Sequence, residues 1–144
     1  MALVVPNVGE LELLDKMLKD ALSVDENYVL KLFHTNVTPD QASTSSSFVE
    51  ATFTNYAAVT LTRANWNSAV TVSNKAESSY GSAALSWTCG ATGDTIYGYW
   101  VIGATSGTCL WAEAFATARV LADSDVLNLT PLRKNWGVGL AKAA

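Results

Sequence analysis

The sequence predicts a mainly β fold: an antiparallel β-sandwich or jelly-roll-like barrel with one N-terminal α-helix. Three observations carry that expectation. From residue 28 to about residue 130, short runs rich in β-branched and aromatic residues recur with Gly, Ser, Asn and Asp between them, the pattern of many short strands joined by turns. Charged residues make up 15% of the 144, against ~25% in an ordinary soluble domain, and the polar remainder is mostly Ser and Thr, as on a sheet surface wetted by hydroxyls. The hydrophobic period also changes from helical spacing to two after residue 22. At this length one domain can bury about 70% of the surface its unfolded chain exposes, so a core needs no metal or disulfide framework.

The elements follow in chain order. Over residues 7–22, Leu11, Leu14, Leu18, Ala21 and Leu22 recur at helical spacing with Glu and Lys between them, and Asn7 with Glu10 forms a capping box. This apolar stripe packs on the domain's own sheet or docks on a partner, and spacing alone does not separate the two. Tyr28–Phe33 has strand composition and closes on the turn Asn36-Val-Thr-Pro39. Residues 41–47 are a Ser/Thr run expected to be an exposed, mobile loop. Further strands are expected at 48–53, 57–62, 69–73, 83–88, 95–102, 109–115 and 126–130. The Ala-rich stretch 112–123 reads as strand or short helix. In Tyr97-Gly-Tyr-Trp-Val-Ile102, strict alternation puts Tyr97, Tyr99 and Val101 on one face and Gly98, Trp100 and Ile102 on the other. Both faces are then apolar, as in a central strand between two layers or a sheet whose outer face meets another protein. The tail from Pro131 has little periodicity and a single Trp136, and is expected to fray or to lie along a neighbouring subunit. The domain organisation is one unit: arm and helix over 1–24, a β domain over 25–131 and a tail over 132–144.

Several function classes lose ground on composition. Nine Lys and Arg stand against thirteen Asp and Glu with no basic stripe, which argues against nucleic acid as a partner. No apolar window reaches a membrane span, and residues 1–6 lack the basic start of a signal peptide, so no membrane partner is expected. His34 is the sole histidine; it follows a strand beside a turn and reads as structural or exposed, and no nucleophile elbow, phosphate loop or metal motif accompanies it. No catalytic residue, cofactor or metal site is expected. Asp123 and Asp125 read as turn residues. Glu113 beside Trp111 has the form of a sugar-facing pair, but a glycosidase would need a second acid within about 5–10 Å. Cys89 and Cys109 flank the 95–102 strand. In a meander their strands would lie about 9.6 Å apart, too far for a disulfide unless they face each other across a sandwich, so two buried thiols are expected.

A resemblance adds context that the residue chemistry does not. The run Ala2-Leu-Val-Val-Pro-Asn-Val-Gly-Glu10 with Leu13 and Leu14, the Asn36-Val-Thr-Pro39 turn, Leu61-Thr-Arg-Ala-Asn-Trp66, Ile96-Tyr-Gly-Tyr-Trp100, Leu110-Trp-Ala-Glu113 and Asp125-Val-Leu-Asn-Leu-Thr-Pro131 together resemble a family of small virion proteins of tailed bacteriophages, including phages of cyanobacteria. The resemblance spans residue 2 to about residue 131. It implies a capsid cement or decoration protein, made in the host cytoplasm and located on the capsid surface of the virion. Its implied partners are the major capsid protein and further copies of itself, as a dimer or trimer. A tail-associated or receptor-binding protein contacting host glycans is the alternative. Contacts with the shell are expected from residues 2–22 and the tail, with Leu3, Val4, Val5, Leu11 and Trp136 as the contact residues. The reason is that the apolar run Leu3-Val-Val5 shows no internal strand partner in the sequence.

Overall fold

The computed structural model describes residues 3–9, 26–68, 70–72, 75–81, 83–129 and 133–136. The described strands are β1 (Tyr28–Phe33), β2 (Val59–Leu61), β3 (Val70–Val72), β4 (Lys75–Ser79), β5 (Leu85–Thr88), β6 (Asp94–Gly103), β7 (Cys109–Leu121), β8 (Val126–Leu129) and β9 (Arg133–Trp136). The fold is mainly β and antiparallel, as expected. Its sheets have the orders β2-β1-β6-β7, β3-β4-β9 and β5-β8. Residues 7–9 are helical; the remainder of the expected 7–22 helix lies outside the described residues. None of the described helices is long and apolar enough to cross a membrane.

The four-stranded sheet is apolar on both faces because its two central strands alternate between two clusters. On β1, Leu30 and Leu32 enter one cluster with Leu61, Trp87, Ile96, Tyr99, Val101, Trp111 and Leu127, whereas Phe33 enters a second with Phe48, Trp100, Cys109, Ala112 and Ala114. Leu30, Leu32, Leu61 and Val101 have no exposed surface, and full burial of each stabilises by about 1.5–3 kcal/mol. Trp87 and Leu127 bring the β5–β8 pair onto the first face. Phe48 stacks on Trp100 at 5.4 Å and lies 5.0 Å from Phe33 on the second.

Alternation fails at one place in β6, with a structural consequence. The β6–β7 register steps from Gly98↔Ala114 to Ile96↔Arg119, so one β6 residue, Tyr97, opposes residues 115–118 of β7. Such a bulge turns the side chains of one strand relative to the regular pleat. Tyr97 accordingly packs against the second cluster with Trp100 and Ile102, while Ile96, Tyr99 and Val101 share the first. This corrects the expected grouping of Tyr97 with Tyr99. A second irregularity, between Val101↔Trp111 and Ile102↔Cys109, lets the neighbours Leu110 and Trp111 both enter the first cluster.

Other expectations change for physical reasons. Residues 48–53 form no strand. After a 3-10 turn at Ser45–Ser47, His34 N donates to the Val49 carbonyl and Ala51 N to that of Leu32, so the segment continues the β1 edge that β2 leaves at Leu30. Phe48 then feeds one face while Ala51 and Phe53 feed the other; the segment wraps around the sheet end instead of running along it. The 112–123 stretch is strand to Leu121 rather than helix, because β6 holds it at both ends. In the tail, Arg133–Trp136 pairs with β4, with Trp136 opposite Ala76; neither strand was expected.

Gly98 is where the central strand depends on a missing side chain. It faces Phe33 of β1 and Ala114 of β7. A Cβ there would collide with the Glu113 carbonyl oxygen, lie 2.6 Å from the Phe33 ring and 2.8 Å from the Ala114 Cα. Two of these three atoms are backbone and cannot swing aside. Gly98→Ala is therefore expected to lower the urea midpoint at unchanged slope, by about 1–3 kcal/mol as for overpacked cores. An unshifted midpoint would show that the sheet does not close on this glycine.

Candidate functional site

Of the contact residues expected from the sequence, Leu3, Val4 and Val5 lie against strands and clusters of the same chain. Val4 forms an antiparallel bridge with Ala112 on the outer strand β7, Val4 N donating to the Ala112 carbonyl at 3.1 Å and Ala112 N to that of Val4 at 3.0 Å. Leu3 and Val5 are half-buried against the first cluster. Pro6 is fully buried, and Asn7 N donates to the Gln41 carbonyl at 2.9 Å. The arm thus has the internal strand partner that the sequence did not reveal. Leu11 lies outside the described residues. The Trp136 backbone pairs within the β3-β4-β9 sheet, apart from the arm's ladder on β7.

His34 and Asp94 form a polar cluster at the rim of the main sheet. His34 follows β1 and Asp94 opens β6, which the antiparallel β1–β6 register brings to one end of the sheet. His34 Nδ1 lies 3.0 Å from Asp94 Oδ2. The same carboxylate accepts Thr52 N at 2.9 Å and Thr95 N at 2.8 Å. Burial would raise the Asp94 pKa, but the Thr52 N–H, His34 and the Thr95 N–H outweigh it and hold the carboxyl below its ordinary value. Together with Thr95 and Tyr97, the pair lines a shallow, open depression. Chemically it is a clamp: Asp94 ties the end of β1, the 52 loop and the start of β6, and among the described residues no hydroxyl or thiol is hydrogen-bonded to His34 as a nucleophile would be.

Other carboxylates serve backbone directly or through a side chain. Glu26, 6% exposed, accepts Thr105 N and Ser106 N and so fastens the β6–β7 turn. The nearest legible signal was Gly103, whose missing side chain leaves room for the Glu26 carboxylate. Glu50 accepts the Tyr56 hydroxyl at 3.0 Å and pairs with Lys31 at 2.8 Å, while Tyr56 Oη accepts Leu32 N. Asp125 Oδ2 accepts Ala122 N inside the Ala122–Asp125 turn, where Ser124 has φ 69°; the turn reading of this residue holds.

The sugar-facing pair does not form. Trp111 is 4% exposed and its ring lies edge-on to Tyr28 and Trp66, so it offers no face to a sugar. Glu113 accepts the Tyr99 hydroxyl at 2.7 Å. Burial, then the Glu113 charge, push the Tyr99 pKa up and keep the phenol a donor. Among the described residues no group of three His, Cys, Asp or Glu is placed to hold a metal ion.

Cys89 and Cys109 are both free and buried, and they sit in different clusters, on opposite faces of the main sheet. β5 pairs with β8 rather than beside β6, so the meander geometry does not arise. Burial pushes Cys109 up to about 12; burial, then Asp123, Asp125 and Asp94, raise Cys89. Thiolate is the reactive form, so Ellman's reagent at mildly alkaline pH should label neither thiol in the native protein and both in denaturant. Rapid native labelling would show that one cluster opens.

Asp94 also sets an acid limit. Because its folded pKa lies below the ordinary 3.8, its stabilisation is complete above that value and is lost as pH falls through it towards the folded value. Asp94→Asn should lower stability at neutral pH and flatten the loss below pH 3.8. Denaturation midpoints measured across that range check it, and parallel curves for the two proteins would contradict the clamp.

Compared with models of known protein families and with curated proteins, the chain matches none.

Proposed function

We propose that the chain is a structural virion protein, a capsid cement or decoration protein that binds the outside of an assembled tailed-phage shell and stabilises it as a homo-oligomer. The supporting observation is where the acidic side chains are spent. Asp94, Glu26 and Asp125 each accept backbone N–H groups of a turn or loop, and Glu50 accepts the hydroxyl of Tyr56, whose oxygen accepts Leu32 N of β1 and so ties the 56 loop to that strand. A binding module gains from such fixed loops because little is lost in ordering them on contact. The resemblance to phage virion proteins supplies the partner, the major capsid protein. Symmetry then repeats a modest contact over the shell, so weak single contacts give strong collective reinforcement.

The glycan-contacting alternative draws less support. It requires Trp and Tyr rings at the surface; Trp87, Tyr99, Trp100 and Trp111 are buried, and Tyr28, Tyr56, Trp66, Tyr80 and Tyr97 are half-buried.

The test is addition of purified protein to shells that lack it. The protein should co-sediment with the shells at saturating stoichiometry and raise their thermal disruption temperature. Sedimentation of shells without bound protein would sink the proposal.

A further inference from the structure

The second half of β7 carries more residues than its pairing needs. Between the rungs Gly98↔Ala114 and Ile96↔Arg119, β6 advances from 98 to 96, two residues, while β7 advances from 114 to 119, five. The surplus residues make no rung of the ladder, so β7 is thrown outward there. Bulges of this kind recur beside binding and active sites, where they re-aim side chains.

The outward excursion of β7 forms one wall of a cavity of about 450 Å³, and β8 forms the other. That volume lies within the range of small-molecule sites. Glu113 and Arg119 bound the stretch of β7 that lines it. Glu113 is paired with Tyr99 and Arg119 with Ile96, both residues of the first cluster, so the two charged residues stand on the same face of the sheet. Tyr99 and Ile96 are three positions apart on β6, about 10 Å, a gap that one small molecule spans. No ion pair closes that gap. Glu113 accepts the Tyr99 hydroxyl through Oε2; among the described residues its Oε1 and the Arg119 guanidinium have no hydrogen-bonding partner. Phe115, Leu127 and Leu129 supply apolar wall in the same cavity.

Two opposite charges held apart beside an apolar wall are complementary to a zwitterion with an apolar side chain. A singly charged or neutral molecule leaves one of the two groups unanswered. We infer that the β7–β8 cavity binds a small zwitterion of the apolar amino-acid class. Its ammonium sits on Glu113, its carboxylate takes the fork of the Arg119 guanidinium, and its side chain lies against Phe115, Leu127 and Leu129. Tyr99 is a positioning residue, since its hydroxyl fixes one Glu113 oxygen and leaves the other for the ligand. This activity is separate from shell binding and is measured on the chain alone, so the failure of either leaves the other standing.

The probe is leucine, titrated into isotope-labelled protein and followed by amide chemical shifts. The shifts should saturate and be confined to residues 113–119 and 127–129. Leucinamide, which lacks the carboxylate, and isocaproate, which lacks the ammonium, should each bind about tenfold more weakly or worse. Glu113→Gln, which still accepts the Tyr99 hydroxyl, and Arg119→Gln should each cost leucine about the same factor. Arg119 is exposed, so its substitution keeps the test valid even where Glu113→Gln weakens the fold. Absence of saturable shifts at millimolar leucine, shifts centred elsewhere, analogues that bind as tightly as leucine, or binding that survives both substitutions would each overturn the inference.

Discussion

Burial of β6 on both faces is the constraint from which the other features follow. Tyr99 and Val101 face one cluster while Trp100 faces the other, so the strand needs apolar cover on two sides and hydrogen-bonding neighbours on both edges. β1 and β7 supply the edges. The β5–β8 pair covers one face, and Phe48 and Phe33 cover part of the other. A regular pleat would put Tyr97 on the Tyr99 face and Ile96 on the Trp100 face. The bulge at Tyr97 instead places Tyr97 and Gly98 side by side towards Phe33, and the absence of a Gly98 side chain makes room for that ring. Bulge and glycine are thus one device: the first re-aims the strand, and the second removes the collision this produces.

Polar side chains act at the ends of this sheet. A strand buried on both faces leaves its connections at the rim, where turns must satisfy backbone groups with few neighbours. Asp94 accepts N–H groups from two segments and Glu26 from the β6–β7 turn. Charge-assisted bonds of this type are stronger than neutral ones, so a chain with 15% charged residues still fixes its loops. The clamp at Asp94 and the free, buried thiols together describe a domain held by packing and carboxylate-backbone bonds, with no covalent cross-link at Cys89 or Cys109.

Much of this was legible in the sequence because the driving force is hydrophobic patterning. Tyr28–Phe33 and the two-sided apolar character of residues 97–102 emerge from composition and period alone. Two kinds of feature did not. Strands of polar composition, such as Lys75–Ser79 and Arg133–Trp136, exist through mutual backbone pairing, which leaves no periodic mark. Features that depend on distant partners were also hidden: the bulge at Tyr97 requires knowing what lies opposite on β7, the Val4 bridge requires knowing that β7 is an outer strand, and Glu26 is recognisable only once the turn at Thr105 is beside it. Trp111 and Glu113 show the converse error. Two positions apart on a strand they share a face, but only tertiary packing reveals that this face looks inward.

A domain with fixed loops and an arm fastened to its own sheet is suited to permanent assembly, and the proposed place for it is the outer surface of a capsid. The most direct measurement is quantitative mass spectrometry of purified virions, giving copies of this chain relative to the major capsid protein. The account predicts a ratio near a simple fraction of the shell copy number. Only a few copies per particle would contradict it.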